Sequence, residues 1–400
     1  MRTPISWVAG ALGFAAATFA TTPSALSEEA PIVIGMAIAQ TGDMSPFDVD
    51  PSNAVSMWVD ERNAHGGLLG RQLKVITVDT KSDRPEGARA GQAVVDRGAE
   101  LIFVTCDYDW GSPAAAVAQR AKKISVFLCA QDPKAGIQGI GPYAFTASIA
   151  VQVEGQASAE WAHKNLGANK VYSLVDTDSE YGKSMCAGWD WGVKNSGMQS
   201  LGSDTFRNDD PSVQSQITRI SSLPVKPDAL MLCTHIPGGA SVIRQLRSAG
   251  LNMPIFSGAG MDGTYWLQAV PGLSDFYITT QASIYGDDPN PEIQNFVTKF
   301  KGKFGRAPVS ALLIPAYVFM DLWASAVEKA GTTDAAKVVP IMEQYRDEPT
   351  ISGPRTFTPE LHIQDRAALQ IIKYENGKPK DVGSYRIAAP VPYKLLFRMK

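Results

Sequence analysis

"ELIFVTCDYDWGSPAAAVAQRAKKISVFLCA", residues 100–130, decides the fold. Leu101–Val104 is a short apolar run, and Ile124–Leu128 is another. Between them lies an alanine-rich segment with Ser112 placed to cap a helix and Pro113 at its first position, a pairing that helix starts favour. Strand, helix and strand in 31 residues predict a parallel βαβ unit with the strands buried on both faces. The short "DYDWG" connection (107–111) carries two acids and two large aromatics at the carboxyl end of a strand. It reads either as a solvated turn or as a surface that faces a ligand, because doubly wound sheets bind ligands at that end.

The same rhythm extends both ways. Upstream come a strand at 32–38, a helix at 52–64 with Ser52 as a candidate cap, a strand at 72–80 and a helix at 85–98. Downstream a second run begins: "VEGQASAEWAHKNLG" as helix, "KVYSLVD" as strand, "YGKSMCAGWDWGVKNSG" as helix, then further alternation to "MPIFSGA". Two successive runs predict two α/β, doubly wound parallel-sheet lobes. Strand-end loops in both, "DYDWG" and "CTHIPGG" among them, predict a cleft between the lobes. Helices are expected at 290–304, 311–330 and near 334–346, with strand-like "RTFTP" and "ALQIIKYENGK" at the end. No low-complexity linker separates the runs, so several chain crossings are expected rather than one tether.

At the N-terminus, Arg2, the apolar run 7–20 and small residues at Ala25 and Ser27 predict a signal peptide over 1–27, cleaved near Ser27. Its removal takes the formal charge from −3 to −4 through loss of Arg2. That mild acidity argues against a nucleic-acid partner, which needs a basic stripe. Four cysteines, Cys106, Cys129, Cys186 and Cys233, contain no CxxC pair, so no structural zinc is expected. In an exported chain they allow three pairings. Cys106 and Cys129 each end a predicted strand and could be neighbours, and whether Cys106/Cys129 or Cys186/Cys233 are joined stays open.

Catalytic signatures are missing. The sequence has no GxSxG, HExxH or GxxxxGK[ST], and its four histidines, His65, His163, His235 and His362, are scattered. "GAGMDG" (258–263) matches the dinucleotide fingerprint after a strand, but "TYWLQAVPG" behind it is too short for the helix such a site requires. The expectation is therefore a non-enzyme without cofactor or metal, with a secreted dinucleotide-dependent oxidoreductase as the remote alternative.

Several stretches resemble the periplasmic solute-binding proteins of ABC importers, in the leucine/isoleucine/valine-binding branch. The most specific is "MWVDERNAHGGLLGRQLKVITVDTKSDR" (57–84), with its helix, double-glycine turn and strand. "IVIGMAIAQTGDMSPFD", "GARAGQAVVDRGAELIFV" and "VIRQLRSAGLNMPIFSGAG" support it. The resemblance implies a type I periplasmic binding protein-like fold joined by a three-crossing hinge near 144–150, 276–282 and 350–355. Lobe 1 would be 31–147 plus 279–351, and lobe 2 would be 148–278 plus 352–400. It also implies a periplasmic monomer that captures a small organic solute, an amino-acid-like, amide or aromatic compound, for membrane permease subunits. A ligand-sensing receptor domain of the same fold is the alternative.

Carried over residue by residue, the family's pocket maps to Phe47, to Tyr108, Asp109 and Trp110, to Cys129, Ala130 and Gln131, and to Tyr181, His235 and Ala259. Two departures stand out. The family's hydroxyl-rich loop for a ligand carboxylate is "DYDWG" here, and the acid that balances an α-ammonium is replaced at Ala259, with Asp262 nearby. Tyr108 and Trp110 are expected to form an aromatic wall, with Asp109 as an acceptor or cation partner.

Overall fold

The computed structural model describes residues 1–10 and 30–399, so the expected cleavage point near Ser27 lies outside the described residues. Strands β1 (Ile32–Ile38), β2 (Leu73–Asp79), β3 (Leu101–Val104), β4 (Ile124–Phe127) and β5 (Ala144–Phe145) form a parallel sheet in the order β2-β1-β3-β4-β5. Helices α1 (Ser45–Ala64), α2 (Arg84–Asp96) and α3 (Tyr108–Arg120) connect them. The two faces of this sheet sort by side-chain size. Ala37, Ala90, Val94, Ala114 and Ala118 let α2 and α3 lie close on one face, while Ile34, Met57, Phe103 and Trp323 fill the other.

The second sheet holds β6 (Lys170–Asp176), β7 (Gln199–Phe206), β8 (Ala229–Cys233), β9 (Ile255–Gly258), β10 (Phe276–Thr280), β11 (Ala368–Glu375) and β12 (Lys378–Arg386), in the order β12-β11-β10-β9-β8-β6-β7. Only β11 and β12 run antiparallel to their neighbours, as an added hairpin at one edge. Helices α4 (Val151–Leu166) and α5 (Glu180–Asn195) cover one face, and α6 (Gln214–Ser221) and α7 (Gly238–Ser248) the other. The α4–α5 crossing is tight because it is built on glycines. A Cβ on Gly188 would sit 2.1 Å from the Gln152 carbonyl oxygen, and one on Gly155 would sit 2.2 Å from that of Met185. Every residue from Val151 to Ala162 is buried, since the sheet, α5 and the C-terminal tail surround α4.

After β10 the chain returns to the first sheet as α8 (Pro291–Phe304), α9 (Ile314–Ala330) and α10 (Ala335–Met342), then leaves again for β11. Among the described residues one helical segment, Ala311–Ala330, is long and apolar enough to cross a membrane, but 78% of its apolar window is buried inside the protein. It is the core helix against Phe103 and Phe145. "RTFTP" forms no strand and makes only isolated bridges. The last helix, α11 (Tyr393–Leu396), lies against α4, where the Gln152 amide donates to the Leu396 carbonyl at 2.7 Å.

The chain passes between the two sheets near residues 147, 281 and 352, and one side chain joins all three passages. Arg355 is fully buried and donates to the Ala147 carbonyl (2.8 Å), Gln281 Oε1 (3.4 Å) and Ser352 Oγ (2.7 Å). Burial lowers its pKa to about 10, so the guanidinium is charged at neutral pH, held by carbonyl and amide dipoles rather than by an acid.

Candidate functional site

The carboxyl ends of β1, β3 and β4 face those of β6, β8 and β9 across a cleft. Deep in it lies a cavity of about 30 Å³, room for about one water. Met44, Phe47, Cys106, Asp107, Cys129, Ala130, Gln131 and Leu312 line it from the first sheet's side, and Tyr181, His235 and Gly260 from the second. A wider groove of about 570 Å³ opens outward from it, shares Met44 and His235, and is walled by Trp110, Arg84, Arg207 and Asn208.

The expected loop "DYDWG" is instead the first turn of α3. The Asp107 side chain caps the helix by accepting from the Asp109 N–H at 2.7 Å, so the start moves five residues ahead of Pro113. An aspartate cap outcompetes the Ser112–Pro113 signal because it supplies the same acceptor one turn sooner. The consequence is that the four residues point in different directions. Tyr108 turns away from the cavity and stacks on Phe127 at 6.4 Å, inside the first lobe. The aromatic wall of Tyr108 and Trp110 is therefore not formed. Trp110 stands in the outer groove, edge-on to His235 at 6.3 Å, with the Arg84 guanidinium 5.2 Å from its ring. Asp109 reaches across the cleft and accepts from the Glu180 N–H at 2.8 Å, at the start of α5.

Phe47 lies on the first turn of α1, which starts at Ser45 rather than Ser52, and packs edge-on to His235 at 6.0 Å. His235 directs Nδ1 at the Ile236 carbonyl (2.8 Å), which leaves Nε2 as the acceptor in the neutral ring. Cys129 lines the cavity as half of a disulfide with Cys106, and Cys186 and Cys233 form a second, so both pairings left open by the sequence are made. Tyr181 is buried on α5 and its Oη accepts from the Gly260 N–H at 2.9 Å. Ala259 contributes no side chain to the cavity, but its N–H donates to Glu154 Oε2 at 3.1 Å. Asp262, the nearby acid, is turned away and accepts from the Ala311 N–H at 2.7 Å.

Glu154, absent from the sequence-based set, is the acid that reaches the Ala259 N–H, although it does not itself line the cavity. Its second oxygen accepts from the Gln131 amide, across the cleft. Burial raises its pKa to about 8. Burial, with the neighbouring charges of Asp109 and Asp132, holds the Asp107 carboxyl well above the usual range. Burial raises Asp48 to about 7, although it accepts from the Ala39 (2.6 Å) and Cys106 (2.8 Å) N–H groups. An acid on an apolar helix face was the available signal for Glu154. Leu312, 265 positions after Phe47, gave none.

"GAGMDG" is consumed by this arrangement. A Cβ on Gly258 would lie 2.6 Å from Glu154 Oε2 and 2.7 Å from Tyr181 Oη, and Ala259–Met261 forms a single 3-10 turn, not a helix. Its glycines admit a carboxyl and a phenol where a dinucleotide site admits phosphates. Among the described residues no group of three or more His, Cys, Asp or Glu is arranged to hold a metal ion.

At the cleft edge a charged cluster joins the lobes. Glu180 pairs with Lys134 and Arg398, and Ser184 Oγ donates to Asp132 at 2.6 Å. Arg398 lies 3.9 Å from Asp132, so the C-terminal tail touches acids from both sides.

Residues 31–378 match the model of a family described as periplasmic binding protein. The Leu/Ile/Val-binding protein BraC3 of Rhizobium johnstonii is 24% identical over 352 residues, 87% of this chain and 93% of that one. The isoleucine complex of the branched-chain amino acid transporter substrate-binding protein LivJ from Streptococcus pneumoniae superposes with a TM-score of 0.77 at 20% identity, covering 90% of this chain and 100% of that one. A solute-binding protein of an ABC transporter from R. palustris in complex with benzoate gives 0.73 at 18%, covering 92% and 99%.

Proposed function

Because the chain belongs to the periplasmic binding protein family, we propose that it works as the substrate-binding component of an ABC importer, holding a small organic solute between its lobes in the periplasm and presenting it to membrane permease subunits. The single observation that supports this most is the cavity itself. Its walls come from both sheets, so any contact made there is complete only when the lobes are together. A solute that touches both walls favours the closed state by its differential affinity. Its removal frees the lobes to part about the passages joined by Arg355. Among the described residues the hydroxyl at the cavity wall is that of Tyr181, whose Oη accepts from the Gly260 N–H and so helps to fix the wall against which a solute would be held.

Small-angle scattering of the purified protein tests this. A solute library should contain members that reduce the radius of gyration and raise the melting temperature. A protein whose dimensions respond to no solute would remove the reading. Trp110→Ala, which deletes the edge contact to His235, is expected to weaken capture while the fold stays intact; unchanged affinity by calorimetry would place the outer groove outside the binding surface.

A further inference from the structure

Resting on the capture reading, a chain of hydrogen bonds that starts outside the cavity governs one of its walls. The Ala259 N–H donates to Glu154 Oε2 at 3.1 Å, Glu154 Oε1 accepts from Gln131 Nε2, and Gln131 lines the cavity. Glu154 is fully buried on α4, and Gln131 is 7% exposed on the segment after β4, so the last link crosses the cleft.

The two ends of the Gln131 amide are not equivalent. Nε2 carries two N–H donors and Oε1 only accepts, yet the two are nearly alike in shape, so a half-turn of the amide exchanges them with little change in packing. With Nε2 on Glu154, Oε1 has no partner among the described residues and is the end a ligand meets. That arrangement needs a bare oxygen at Glu154 Oε1. A proton on Glu154 reverses it. Oε2 is already the acceptor for the Ala259 N–H and makes no other hydrogen bond among the described residues, so the proton belongs on Oε1, where the Gln131 amide is the partner. An O–H there has to meet Gln131 Oε1, which turns Nε2 toward the cavity. Burial favours the protonated form and raises the pKa to about 8, and Asp262 adds to the effect by repelling the ionised one. The other titratable groups around the pair are Tyr181 on α5 and, across the cleft, Asp107, while His235 shares the cavity wall and Asp132 is turned to Ser184.

We infer that Glu154 is a positioning residue: by offering Gln131 either an O–H or a bare oxygen, it decides which end of that amide faces the cavity, and so whether the wall grips an acceptor or a donor of the ligand. The donor setting matches the rest of the wall. The N–H groups of Cys129, Ala130 and Gln131 have no acceptor among the described residues. Tyr181 Oη takes the Gly260 N–H and gives its own hydrogen to no described group. With Glu154 protonated, the wall therefore holds a ligand through an oxygen acceptor, and ionisation of Glu154 weakens that hold.

NMR of the full mature chain, labelled at its glutamine side-chain nitrogens, tests this. The Gln131 amide signals, assigned by their loss in Gln131→Met, should shift between pH 6 and pH 9 with a midpoint near 8. Glu154→Gln places an NH2 where the protonated acid places its O–H, because its oxygen stays on the Ala259 N–H. Its Gln131 signals should keep their pH 6 positions throughout. Should that variant fail to fold, the Glu154 carboxyl carbon of the parent, titrating with the same midpoint as the Gln131 amide, replaces it. Acetate and methylammonium serve as the smallest acceptor and donor probes. Acetate should perturb the Gln131 amide at pH 6, and its affinity should fall by about 10-fold or more by pH 9 in the parent but not in Glu154→Gln. Methylammonium should follow the opposite trend. Gln131 signals that stay still across the range, or that move alike in Glu154→Gln, would overturn the inference. So would acetate that leaves Gln131 unperturbed or binds equally at both pH values. None of these results bears on capture, which the scattering experiment decides.

Discussion

Glu154 shows how one side chain changes the meaning of a neighbouring position. Ala259 looked like the loss of a charge, yet the carboxyl that reaches its N–H comes from α4, 105 residues earlier. With a pKa of about 8 against an ordinary 4.5, the folded chain holds this proton where the unfolded chain has released it. Stability from this group is therefore full below about 4.5, falls as pH rises to about 8, and is flat above. Glu154→Gln should remove from the variant a slope on the order of 1.4 kcal/mol per pH unit that the parent shows across that window, so the stability difference between the two should change with pH. Urea melts at pH 5 and pH 8 measure it. Equal slopes in both proteins would show that the carboxyl is ionised throughout. Asp107 carries the converse lesson, because a residue that looked hostile to a ligand was cap and wall together. Its position in the quoted stretch was legible; the direction of its side chain was not, since one turn of helix separates a loop reading from a cap reading.

At the scale of elements, one disulfide fastens the ends of neighbouring strands and the other fastens a helix to a strand end. Cys106–Cys129 closes 23 residues from the end of β3 to the segment after β4, and Cys186–Cys233 closes 47 residues from α5 to β8. By loop entropy, loss of the first should cost about 3 kcal/mol and loss of the second about 4. Paired Cys→Ser variants, compared by denaturant titration, should keep that order; a reversed order would mean that native packing outweighs loop length. Of the two, only Cys106→Ser/Cys129→Ser should also alter solute affinity, because only that bridge lines the cavity. The helices α4 and α5 show the limit of periodicity. Polar Gln152, Gln156 and Glu160 on α4 suggest a solvated face, but the C-terminal tail and the hairpin β11–β12 cover it.

At the scale of the whole molecule, Arg355 and the Glu180 cluster are contacts that tie together segments distant in sequence. Arg355→Met should destabilise the protein by about 3 kcal/mol or more, because buried carbonyls at all three passages lose their donor together. A thermal shift within a degree of the parent would show that solvent reaches those carbonyls. Glu180→Gln loosens the contact between Lys134 and the tail Arg398, and should enlarge the unliganded radius of gyration and weaken capture several-fold. Alternation of strand and helix, caps and breakers were sufficient in the sequence for two doubly wound sheets, because these signals are local and repeat at the period of each element. Family likeness added the crossings and ten pocket positions, of which Phe47, Cys129, Ala130, Gln131, Tyr181 and His235 line the cavity. Tertiary structure alone decided that Tyr108 faces inward to its own lobe, that Glu154 on α4 reaches the Ala259 N–H, and that Asp109 accepts across the cleft from the Glu180 N–H. Those outcomes depend on pairs separated by tens to hundreds of residues, and no local pattern encodes which of several acids reaches a given N–H.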